Sequence, residues 1–184
     1  EKLGLRLDVP VVLIMGRGQG LGPIKSVVKS LVKLSMPLQL IVLTGTNKKL
    51  IKWLQKEREK NQKKKTPHDK KILFYEFANN VDELMELASL IITKPGGMTT
   101  SESLAKGLPM VIVDPLPGQE MRNTDFLLKK GIGIRIDKTS DIDEEIELLL
   151  QSPVRLASMS KAAFENGKPH AAMDIAKLIL DMDS

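Results

Sequence analysis

The chain has 184 residues, 42% of them hydrophobic, and a formal net charge of +5; this suits one α/β domain with a proper core. The lack of cysteine excludes disulfides and thiolate metal sites and fits a reducing, cytoplasmic setting. Four Phe, one Trp and one Tyr leave little for stacking bases, so nucleic acid is not expected as a ligand, and no stretch approaches the roughly 18 consecutive apolar residues of a membrane-spanning helix.

The first residues, EKLGLRLDVP, have neither the shape of a signal peptide nor an initiator Met, so the chain reads as a piece of a longer protein. The first strong pattern is VVLIMGRGQGLGP (11–23), an apolar run followed by glycines at 16, 18, 20 and 22. A glycine fan after a strand lets a ligand approach the backbone closely, usually a phosphate. Two common phosphate loops fail here. G-x-G-x-x-G would need Gly where Leu21 or Pro23 stands, and no acidic residue closes the second strand, which ends in LTGTN. No Gly-Lys-Ser or Gly-Lys-Thr follows the glycines, so the P-loop is disfavoured too.

Helical spacing over 24–34 leads to the apolar run LQLIVLTG, and a second helix over 48–60 follows. The run KEREKNQKKKTPHDKK (56–71) carries much of the excess charge and reads as a solvated loop. Then come KILFYEF, a helix over 81–88, LIITK, a helix over 99–106, MVIVD, a helix over 121–130 and IGIRI. Beyond Ile136 the pattern is helical only, over 140–150, 153–165 and 169–182. No repeat or linker marks off a second domain, so residues 1–184 are expected to form one.

Six strands with continuous apolar runs are buried on both faces, which predicts a Rossmann-like, doubly wound parallel sheet flanked by helices. In the order 3-2-1-4-5-6 the first and fourth strands are neighbours, and the crevice at their carboxyl ends takes the ligand. That brings GRGQGLG (16–22) to face KPGGMTTSES (94–103). Each loop runs into a helix N-terminus, where free N–H groups and the positive dipole end favour an anion. A diphosphate between them is the natural ligand.

Glu102 stands one turn beyond Gly96 and Gly97. Thr99-x-x-Glu102 has the spacing of a capping box, the reading that spacing alone favours. In PGQE (117–120) Pro117 and Gly118 make a turn, and Glu120 can complement a helix dipole. Their place at the carboxyl edge of the sheet gives both a second reading, as ligand-binding groups. Asp141-x-Asp143 has the letters of a metal-binding DxD, but it sits at a helix start, where acids are expected. His68 and His170 fall away from the carboxyl edge and read as surface histidines.

The stretch ITKPGGMTTSESLAKGLPMVIVDPLPGQEMRN (92–123) closely resembles the C-terminal domain of GT-B glycosyltransferases that transfer a hexose from a UDP-sugar to diacylglycerol, and more distantly that of MurG. The resemblance runs from about Pro10 to the last helix. It implies a backbone and hydroxyl cradle for the UDP diphosphate at Gly96, Gly97, Met98, Thr99 and Thr100, with Glu102 on the ribose hydroxyls. Gln119, Glu120 and Asn123 would meet the donor hexose or its phosphates, Phe77 and Ala78 the uracil, and Gly18, Gln19 and Gly20 would close over the diphosphate. Arg17 departs from the Gly more usual in the family. The resemblance further implies an inverting transfer with no obligatory metal or cofactor. The lipid acceptor and the general base belong to an N-terminal domain absent here, so no catalytic residue is expected in this piece, and peripheral membrane association is expected of the full-length protein. The alternatives are a UDP-GlcNAc transferase or epimerase, and a non-catalytic nucleotide-binding module.

Overall fold

The apolar runs become β1 (Val11–Met15), β2 (Leu38–Leu43), β3 (Lys70–Tyr75), β4 (Leu90–Thr93), β5 (Met110–Val113) and β6 (Gly133–Ile136). In the computed structural model, which describes residues 3–16, 20, 22–63 and 70–182, they form one parallel sheet in the order β3-β2-β1-β4-β5-β6. This is the predicted doubly wound order.

Alternate residues of each strand serve opposite layers, which is why the runs are continuously apolar. Val12 and Ile14 pack with α1 (Ile24–Leu31), α2 (Lys48–Lys63) and α6 (Ile142–Leu150). Val11 and Leu13 pack with α3 (Val81–Leu87), α4 (Gly97–Ala105) and α5 (Gln119–Lys129). Thus α3 carries the chain from the edge strand β3 back to β4 beside β1, on the second face. α7 (Pro153–Asn166) packs against α4 and α6 and places Met159 in the first layer and Ala163 in the second. α8 (Ala171–Met182) buries no residue, and its Met173, Ile175, Leu178 and Ile179 are exposed. Among the described residues no helix is long and apolar enough to cross a membrane.

The basic run 56–71 departs from its expected loop. α2 continues to Lys63 and β3 begins at Lys70, so most of the run is regular structure. The apolar stripe of α2, Leu50, Ile51 and Leu54, lies in its first half, and the charged second half hides the helix from a hydrophobicity pattern. Lys70 is buried, and its ammonium donates to the Leu34 carbonyl at 2.8 Å and to that of Met36, tying down the α1–β2 connection. Burial holds its pKa below the usual lysine range, while the negative charge of Glu147 pulls the other way.

Candidate functional site

Strand register assembles the site. Met15 pairs with Thr93 and Thr93 with Ile112, so Gly16 and Lys94 leave the sheet side by side, with Asp114, just past the end of β5, one residue farther out. A cleft of about 430 Å³ opens there, lined by Gly16, by Lys94 and residues 96–99, and by Leu116, Pro117, Gln119 and Glu120. The loops after β1, β4 and β5 therefore meet where the sequence predicted a ligand.

Gly96 is the N-cap of α4, with φ −66° and ψ 154°, and no side chain caps the helix. The first intrahelical bond runs from the Thr100 N–H to the Gly96 carbonyl at 2.9 Å, so the N–H groups of the first turn face the cleft side without helical partners. A Cβ added to Gly96 would meet nothing within 4 Å, which leaves its backbone open to a ligand. Met98 is exposed and Thr99 half-buried at the cleft.

Two expectations change here. Because α4 starts at Gly97, Thr99 lies inside the first turn and cannot be an N-cap, so the capping box is absent. The Glu102 side chain is exposed on the second turn, with no hydrogen bond or ion pair to the described residues. The Thr100 hydroxyl is buried beneath the helix without a partner. It does not line the cleft, so of the two threonines only Thr99 offers a hydroxyl there.

α5 binds the other loops together. Gly118, at φ 98°, turns the chain, and the helix begins at Gln119. Glu120 is buried and its Oε2 accepts the Leu116 N–H at 2.7 Å, which folds the loop after β5. Asn123 donates to the Pro95 carbonyl. Gln119 stays exposed, and its amide Nε2 sits 3.2 Å from where a Gly97 Cβ would be. Of these three residues, Gln119 is thus the one whose side chain is committed to no described group, whereas Glu120 and Asn123 shape the loops.

Gly20 has φ +64°, and a Cβ there would fall 2.1 Å from the Thr44 carbonyl oxygen. The approach that this glycine permits is therefore to the end of β2. Gly20 lines a separate hollow with Asn47 and Lys49. Gly18 and Gln19, with Arg17 and His68, lie outside the described residues. Phe77 is exposed and Ala78 packs on the second layer. They follow β3, three strand spacings or about 14 Å across the sheet from the end of β4, and do not line the cleft.

Sequence reasoning passed over Lys94 and Asp114. Lys94 is only 9% exposed, and its Nζ meets Asp114 Oδ2 at 2.6 Å. Asp114 is the one non-glycine with positive φ, 47°, among the described residues. Their signal was position, since each directly follows a strand at the carboxyl edge of the sheet. Among the described residues no three His, Cys, Asp or Glu side chains cluster to hold a metal. Asp141 is the N-cap residue of α6 and accepts from Ser140 Oγ at 2.7 Å. His170 is exposed, away from the cleft.

The glycosyltransferase family 28 C-terminal domain matches residues 11–177. A processive diacylglycerol beta-glucosyltransferase of Bacillus cereus (strain AH187) is 36% identical over 182 residues, covering 98% of this chain and 45% of the relative. One of Bacillus thuringiensis (strain Al Hakam) is 34% identical over 183 residues, with the same coverage. Among solved structures, MurG of Acinetobacter baumannii superposes with a TM-score of 0.71 at 22% identity, covering 95% of this chain and 52% of that one. The S. aureus MnaA–UDP co-structure gives 0.67 at 20% identity, covering 94% and 46%. The fold is thus the Rossmann-like α/β fold of these GT-B neighbours, and the chain belongs to the glycosyltransferase family 28 C-terminal domain family. It spans about half the length of the curated relatives it matches.

Proposed function

We propose that this chain is the donor-binding part of an inverting glycosyltransferase that moves a hexose from a UDP-sugar to a lipid acceptor such as diacylglycerol. The observation that carries the reading is the cleft where the uncapped start of α4 meets the loop tied down by Glu120. A helix N-terminus with free N–H groups suits a diphosphate leaving group, which needs negative charge stabilised as it departs. Glu102 serves the ribose, Phe77 and Ala78 the base, and Gln119 the hexose. Identity of 36% to a diacylglycerol glucosyltransferase favours the lipid acceptor, whereas the likeness to MurG bears on the fold alone.

The acceptor site and general base fall in the part of the relatives that this chain does not span, and the reaction uses no obligatory metal. The whole enzyme works at the cytoplasmic surface of a membrane as a peripheral protein. Calorimetric titration with UDP, ADP and NAD tests the reading, with UDP expected to bind tightest. Equal binding of ADP, or a preference for NAD, overturns it. Titration with UDP-glucose, UDP-galactose and UDP-GlcNAc then identifies the sugar.

A further inference from the structure

Resting on the reading of the cleft as a UDP-sugar site, we infer that Lys94 is the cation that takes the donor diphosphate. Asp114 is a built-in competitor that holds the ammonium and sets a ceiling on UDP affinity.

An ammonium carries three donors. Among the described residues that of Lys94 meets one acceptor, Asp114 Oδ2, although the side chain is 9% exposed. A buried charge with donors to spare is expensive unless a further anion reaches it. Lys94 lines the cleft beside Gly16, Gly96 and Gly97, and its Cε lies 3.4 Å from where a Gly22 Cβ would be. It is thus wedged between the two glycine loops, on the same cleft as the start of α4. A diphosphate there meets helix N–H groups and the ammonium together.

Asp114 is held differently. Its side chain is 60% exposed, and its backbone is in the left-handed region that L residues rarely occupy. An ion pair to so exposed a partner adds little stability by itself. A carboxylate at the mouth of an anion site lowers affinity for the anion and favours release of the product nucleotide.

The test titrates the chain with UDP and with uridine. Lys94→Met should bind UDP about tenfold or more weakly and uridine unchanged, the loss of one charge-assisted bond. Asp114→Asn keeps an oxygen for Nζ and a residue that tolerates positive φ, and it should bind UDP several-fold more tightly with uridine unchanged. Thermal melts confirm that each variant folds. Folded Lys94→Met that binds UDP like the unaltered chain overturns the assignment. Should Lys94→Met fail to fold, Asp114→Asn decides, and unchanged or weaker UDP binding overturns the proposal. If the unaltered chain binds no UDP, the donor reading falls and this one with it, an outcome distinct from either variant result.

Discussion

Asn123 donates from Nδ2 to the Pro95 carbonyl at 2.8 Å, clamping the second turn of α5 to the loop that opens α4. The two cleft-lining loops after β4 and β5 are thereby one mechanical unit. Asn123→Ala should lower stability by about 1 kcal/mol, the worth of such a bond, and weaken UDP binding several-fold although its donor is turned toward protein. Urea denaturation and calorimetry measure the two effects. Unchanged UDP affinity in the destabilised variant would show that the clamp does not shape the site.

Gly96 and Gly20 should behave in opposite ways. Gly96 has an ordinary φ and open space around it, so Gly96→Ala should fold within about 0.5 kcal/mol of the unaltered chain yet lose UDP affinity as the methyl enters the cradle. Gly20→Ala places a Cβ 2.1 Å from a carbonyl oxygen at φ +64°. It should cost at least about 2 kcal/mol. Denaturation curves of both variants, with a UDP titration of the folded one, separate a ligand-facing glycine from a fold-required one.

Glu102 caps nothing and pairs with no described residue. Glu102→Ala should therefore leave the melting temperature unchanged while reducing the preference for UDP over 2′-deoxy-UDP, the difference that a carboxylate on ribose hydroxyls creates. A variant that keeps that preference removes Glu102 from the ribose site.

Gln119 and Glu120 are adjacent but differently employed. Glu120→Ala strands the Leu116 N–H and should cost about 1–3 kcal/mol, visible in urea. Gln119→Ala should be neutral in urea and should erase most of any difference between UDP-hexose and UDP affinity. Unchanged discrimination in Gln119→Ala assigns the hexose contact elsewhere.

Lys70 supplies a pH dependence. Its folded pKa lies below 10.5 because burial disfavours the ammonium. Between the folded and unfolded pKa values the unfolded chain holds the extra proton, so stability rises with pH across that alkaline window. Denaturation midpoints of the unaltered chain should rise relative to Lys70→Met as pH climbs toward 10.5. A parallel pair of curves would mean that Lys70 titrates normally.

The sheet was legible because burial on both faces writes continuous apolar runs, and Val11–Met15 or Met110–Val113 can be little else. The meeting of the loops followed from strand order alone. What stayed hidden was local. Thr99 and Glu102 have capping-box spacing, but spacing does not say where the helix begins, and Gly97 begins it two residues early. The second half of α2 carries no apolar stripe. Lys94 lacks any local pattern, since what marks it is its ion pair with Asp114, twenty residues away and one strand over.

α8 lies outside the cooperative core. Its twelve residues bury nothing, and a helix of that length is marginal in water without tertiary support, because nucleation costs more than so few turns return. Residues 171–182 should therefore melt ahead of the sheet, and their amides should exchange by local fraying. The enthalpy and denaturant dependence of the main transition will then correspond to a shorter protein, one that ends with α7 and still contains the whole cleft.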